Sequence, residues 1–180
     1  MLLEINDVNK SYGGLVALQD ITFSLEGGET LGIMGANGAG KTTLFSLIAG
    51  HAKPTRGKIM LAGQQIDGMR PDQISALGVA RTYQIVRPFR NLTVLENVAA
   101  GALYGSHQKK SMTRAIQMAH EILTDIRLDD RADQPAGSLT LAGFKRLELA
   151  RALATGPKLL LLDEVMAGLT PSEVNQAIDI

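Results

Sequence analysis

The chain has 180 residues, with 18 Lys+Arg against 18 Asp+Glu, three His and no Cys, so its formal net charge is zero. At 45% hydrophobic and 20% charged it has the make-up of one globular domain, or one domain with a small insert, which excludes disorder, collagen-like repeats, a disulfide scaffold and thiolate or Cys-based metal chemistry. Balanced charge also argues against nucleic acid as the main partner, and no apolar run approaches the roughly 20 residues of a bilayer span.

In chain order, Leu3, Ile5 and Val8 open a short strand, while Ile21, Phe23 and Leu25 alternate with Thr22, Ser24 and Glu26 as a half-buried strand ending at Gly27-Gly28. Leu31-Gly32-Ile33-Met34 follows as a more continuously apolar strand. After a glycine loop at 35–40, residues 41–49 place Leu44, Leu47 and Ile48 at helical spacing and stop at Gly50. Between 91 and 130 the period becomes helical. Met112, Ala115, Ile116, Ala119, Ile122, Leu123 and Ile126 form one apolar stripe behind a Ser111 N-cap, and residues 90–155 read as a helical part inserted in a single α/β domain spanning 1–180. A further helix at 144–155 is closed by Gly156-Pro157, and Leu159 to Leu162 predicts a strand buried on both faces. His51 reads as a loop residue and His120 as a polar-face residue.

Gly35-Ala36-Asn37-Gly38-Ala39-Gly40-Lys41-Thr42 fits G-x-x-x-x-G-K-[ST] between a predicted strand and a predicted helix, the setting in which that pattern cradles nucleotide phosphates. Glycines let backbone N–H groups turn inward, the helix N-terminus adds partial positive charge, Lys41 reaches the β and γ oxygens, and Thr42 offers a hydroxyl to Mg²⁺, with Thr43 beside it. Asp163 and Glu164 end the strand Leu159-Leu160-Leu161-Leu162, where ligands of open parallel sheets gather. Asp163 is expected to hold Mg²⁺ through water, and Glu164 to orient or deprotonate the water attacking the γ-phosphate. No Asn-Lys-x-Asp or Thr-Lys-x-Asp guanine motif follows Lys41, which argues against a GTPase.

With their surroundings, these motifs resemble the ATP-binding subunit of an ABC transporter over nearly the whole chain, which implies an ABC-type P-loop NTPase domain with an N-terminal antiparallel β part. Ser11-Tyr12-Gly13-Gly14 looks like the family's adenine-stacking segment, putting Tyr12 against the base with Val16 nearby; taken alone, Tyr12 reads as a strand-end core residue at least as readily. Arg81-Thr82-Tyr83-Gln84 resembles the loop whose glutamine touches Mg²⁺ and the attacking water and meets the membrane subunit. Leu139-Thr140-Leu141-Ala142-Gly143 stands at the family's signature, Leu-Ser-x-Gly-Gln, which implies that Thr140 and Gly143 contact nucleotide held by a second subunit. Ala167-Gly168-Leu169-Thr170-Pro171-Ser172-Glu173 matches the dimer-contacting loop. Residues 78–84 and 91–98, together with 167–171, look most like importers of branched-chain and other hydrophobic amino acids.

The resemblance implies a cofactor set of ATP and Mg²⁺, a homo- or heterodimer, integral-membrane permease subunits, an indirect solute-binding protein and a peripheral place at the cytoplasmic face of the inner membrane. Residues 85–89 and the helical insert are the expected membrane-subunit contact. The sequence departs from the family in three respects. Ala142 and Gly143 replace glycine and glutamine of the signature, so a position needing close approach or positive φ would be obstructed by the Ala142 Cβ. Val165 replaces a proline after Glu164, and all three histidines precede Asp163, so the family's γ-phosphate histidine is missing. These features leave a second expectation beside the motor subunit: a C-terminally incomplete domain that holds ATP with little or no hydrolysis.

Overall fold

A computed structural model describes residues 1–82, 88–105 and 111–163. The chain forms two compact units, Met1–Val79 and Ala80–Ile180.

In the first unit, strands β1 (Leu3–Tyr12) and β2 (Leu15–Leu25) form an antiparallel hairpin, and β3 (Arg56–Leu61) pairs with the other edge of β1 and carries the short β4 (Gln64–Gln65), giving the order β2-β1-β3-β4. The alternation in the sequence sets the register: Leu3 pairs with Leu25 and Leu61, and Ile5 with Phe23 and Ile59, so one side of the sheet is apolar, with Leu3, Ile5, Ile59 and Leu61 buried and Phe23 and Leu25 partly so. An irregularity between Ile5 and Val8 is held by polar side chains. Asp7 and Asp20 adopt positive φ, Asn9 bonds both Asp7 O and Asp20 Oδ1, and Arg56 pairs with Asp7 at 2.6 Å. Helix α1 (Lys41–Ile48) buries Leu44, Leu47 and Ile48, the three residues predicted from their spacing, and ends just before Gly50. The short helix α2 (Pro71–Ala76) completes the unit.

The predicted strand at 31–34 does not form. No ladder involves these residues among those described, Leu31 is exposed and Met34 is 95% exposed. A four-residue apolar run interrupted by Gly32 has little intrinsic hold on extended structure, and none of the described strands pairs with it.

Strand β5 (Val79–Arg81) pairs with β6 (Leu159–Leu161) in a separate two-stranded sheet. Leu159 and Leu161 are buried, but Leu160 is only partly so and Leu162 is exposed, so β6 is not closed on both faces as predicted. Helices α3 (Val94–Tyr104), α4 (Met112–Asp125) and α5 (Leu141–Ala154) pack around a core of small and branched side chains: Val94, Val98 and Ala102 from α3, Ala115, Ala119 and Leu123 from α4, Leu147, Ala150 and Ala154 from α5. Small residues let backbones approach closely, and a Cβ on Gly101 of α3 would lie 2.7 Å from the Arg151 carbonyl of α5. Each helix begins on a hydroxyl cap. Thr93 and Glu96 form a reciprocal capping box, the Ser111 hydroxyl accepts from Arg114 N as predicted, and Thr140 starts α5 three residues earlier than its apolar pattern shows. Of the stripe predicted on α4, Ala115, Ala119, Leu123 and the following Ile126 are buried, whereas Met112 and Ile116 are exposed.

Candidate functional site

Residues 35–42 wrap tightly around the start of α1. Gly38 and Gly40 adopt φ of +83° and +89°, and the Ala39 amide donates to the Ala36 carbonyl at 3.1 Å, which closes the turn. Gly40 is the N-cap of α1 and supplies no side-chain cap, no acidic residue lies in the first turn, and the helical ladder starts with Leu44 N donating to Gly40 O at 2.9 Å. The first-turn amides of Lys41, Thr42 and Thr43 therefore face the loop with the positive end of the helix dipole behind them. Lys41 Nζ folds back over the loop and donates to Gly35 O at 2.6 Å and Ala36 O at 2.9 Å, which sets its cation at the mouth of the cradle beside Gly35, Ala36 and Asn37. Backbone amides at a helix N-terminus and one ammonium held over the loop fit a polyphosphate.

The same loop touches the hairpin. A Cβ at Gly40 would lie 2.5 Å from the Ala17 carbonyl and 2.7 Å from Leu18 Cδ2, so only glycine lets the loop lie against β2 one residue beyond Val16. Tyr12 sits at the end of β1 opposite Leu15, and Val16 opposite Ser11, both exposed next to the hairpin turn. Tyr12 is 51% exposed and is not a core residue; Lys10 Nζ stands 4.6 Å from its ring centroid and also donates to Lys53 O. An exposed ring with a cation over it leaves the other π-face open to a flat, electron-rich group such as a base.

In the second unit, Asp163 is buried at the end of β6. Its Oδ2 accepts from Arg81 Nη2 at 2.9 Å, and its amide donates to Thr82 Oγ1 at 3.1 Å. Among the described residues no group of three or more His, Asp or Glu could hold a metal ion by itself. Oxygen donors of the kind magnesium takes are present in each unit, the exposed Thr42 hydroxyl in the first and the Asp163 carboxylate in the second.

The signature segment is folded into a cap. Thr140 Oγ1 accepts from Gly143 N at 3.2 Å, so these two residues meet at the start of α5. Ala142 lies in the first helical turn and is 8% exposed, and its φ is not among the positive ones. The positive-φ part of the expected obstruction is thereby corrected: the position is helical. Gln84, Glu164, Val165, residues 85–87 and the loop 167–173 lie outside the described residues. Phe89, from the expected membrane-subunit contact, is exposed, with the Arg151 guanidinium 4.9 Å from its ring centroid.

Sequence reasoning gave no role to Arg81 or Asn97. Each stands among apolar neighbours, Arg81 after Val79-Ala80 and Asn97 before Val98-Ala99, and a polar side chain in such a setting is buried only with partners. Among the described residues no helix is long and apolar enough to cross a membrane.

Known proteins resemble this chain along most of its length. The profile of the ABC transporter family matches residues 18–167. The high-affinity branched-chain amino acid transport ATP-binding protein LivG of Escherichia coli is 36% identical over 187 residues, covering 97% of this chain and 73% of LivG. BraF of Pseudomonas aeruginosa, with the same description, is 34% identical, again over 97% and 73% of the two chains. Among solved structures, the ADP conformation of MJ1267, an ATP-binding cassette of an ABC transporter, superposes with a TM-score of 0.87 at 28% identity, covering 99% of this chain and 74% of that one.

Proposed function

The chain belongs to the ABC transporter family, and on that premise we propose that it binds ATP with Mg²⁺ and hydrolyses it to power uptake of branched-chain or related amino acids through integral-membrane permease subunits. The observation that carries this reading is the cradle at 35–42, where an uncapped helix start and the Lys41 ammonium converge on one turn. Backbone amides of Lys41, Thr42 and Thr43 and the Lys41 cation offset charge on the β- and γ-phosphates, and Tyr12 with Val16 receives the adenine. Magnesium, when bound, withdraws charge from the phosphate oxygens; Thr42, Gln84 and Asp163 are the residues that would hold it. Glu164 accepts the proton of the attacking water on a carboxylate oxygen, and Gln84 orients that water.

Thr140 and Gly143 close over nucleotide bound by a second ATP-binding subunit, so the working form is a homo- or heterodimer on the cytoplasmic face of the inner membrane, with a solute-binding protein as indirect partner. Tighter ATP binding by the closed dimer is the differential affinity that drives the membrane subunits, and hydrolysis resets it. The test is reconstitution in proteoliposomes with the membrane subunits that co-purify with the chain. ATP-dependent uptake of leucine, isoleucine or valine over ribose supports the reading; ATP-driven uptake of a sugar alone contradicts the substrate class.

A further inference from the structure

Asp163 is fixed at two points, by Thr82 and by Arg81, and the bond before it in β6 ties Leu161 to Thr82. Thr82 N donates to Leu161 O at 3.0 Å, Asp163 N donates to Thr82 Oγ1 at 3.1 Å, and Arg81 Nη2 donates to Asp163 Oδ2 at 2.9 Å. The two charged side chains are 7% and 6% exposed, so the ion pair lies inside the protein. Asp163 Oδ1 is engaged by no described residue. A carboxylate this deep is strongly disfavoured without a cation beside it, and a metal that arrives and leaves with nucleotide cannot be its permanent counter-charge. Arginine suits that task, because its guanidinium stays protonated and its planar fork bonds along a defined direction.

We propose that Arg81 is the positioning residue of Asp163: it neutralises the buried carboxylate, holds it by Oδ2 and so presents Oδ1 to the magnesium that travels with ATP. This inference rests on the reading of Asp163 as a magnesium contact. Groups that orient a metal-binding side chain in this way commonly matter about 10- to 100-fold in metal affinity.

The experiment compares ATP affinity in EDTA and in excess Mg²⁺, by calorimetric titration of the full chain, for wild type, Arg81→Met, Arg81→Lys and Asp163→Asn. In wild type, Mg²⁺ tightens ATP binding. Arg81→Met is expected to leave the EDTA affinity within about twofold while lowering the Mg²⁺-dependent gain about tenfold or more, to the level of Asp163→Asn, with Arg81→Lys intermediate. A merely structural role would shift the unfolding midpoint and leave that gain untouched, and a full wild-type gain in Arg81→Met overturns the proposal. Should Arg81→Met not fold, Arg81→Lys decides: a reduced gain supports the proposal and an undiminished one overturns it. Absence of any Mg²⁺-dependent gain in wild type would instead overturn the magnesium role of Asp163, and a normal wild-type gain that Asp163→Asn keeps would do the same.

Discussion

Asn97 grips Phe89 from both sides of its backbone: the side-chain Nδ2 donates to Phe89 O at 3.0 Å while Oδ1 accepts from Phe89 N at 2.9 Å. The same Nδ2 reaches Thr93 O at 2.9 Å, and Asn97 is completely buried. One side chain thus ties the stretch that follows residues 83–87 to the first turns of α3. Asn97→Ala removes the partner of Phe89 N and one of the two donors to Phe89 O, which Leu92 N also reaches at 3.0 Å, so a loss of about 1–3 kcal/mol is expected in urea unfolding. A loss under about 0.5 kcal/mol would show that water replaces the amide without cost.

Gly40 and Gly38 both have positive φ, but only Gly40 presses on another element. Gly40→Ala should cost about 1–3 kcal/mol in backbone strain, add a clash with the Ala17 carbonyl, and weaken ATP binding about tenfold or more. Gly38→Ala, with nothing within 4 Å of its Cβ, carries only the conformational penalty of about 1–2 kcal/mol. Parallel thermal melts and ATP titrations of the two variants separate strain from contact, and equal effects would contradict the packing described for Gly40.

Among the described residues, Lys41 bonds the carbonyls of its own loop alone. Lys41→Ala should therefore change stability in nucleotide-free buffer by less than about 0.5 kcal/mol. Losing a charged donor to the phosphates should lower ATP affinity about 10- to 100-fold. A variant that unfolds, or that binds ATP normally, would contradict the placement of Lys41 at the mouth of the cradle.

Thr140 caps α5 with its hydroxyl, so Thr140→Val should destabilise the chain by about 1 kcal/mol while Thr140→Ser retains the bond and the stability. Chemical denaturation of both variants checks this. Because Val is nearly isosteric with Thr, a matching loss in Thr140→Ser would point to packing of the methyl group instead of the cap.

Much of this was legible from local chemistry. The strand opened by Leu3, Ile5 and Val8, the cap at Ser111 and the end of α1 before Gly50 are marked by near neighbours in the chain, and the structure reproduces them. The turn and helix of the phosphate pattern are legible for the same reason, whereas the strand expected before them does not form. Where partners are distant the sequence is silent. Arg81 and Asp163 are 82 residues apart, and no periodicity links them. The run at 31–34 shows the converse, because apolar composition alone does not make a strand without a partner to pair with. Thr140 stands at the signature position and also caps α5, a local task that a Thr before a helical segment signals.

The central claim is ATP hydrolysis with Glu164 as the base, and steady-state ATPase activity of the 180-residue chain tests it most directly, measured with Mg²⁺ beside Glu164→Gln and with an ATP titration that fixes the competent fraction. The account predicts Mg²⁺-dependent turnover in the wild type that falls about 10²- to 10⁴-fold in Glu164→Gln while ATP binding persists. Tight binding without turnover in the wild type, or undiminished turnover in Glu164→Gln, would contradict it.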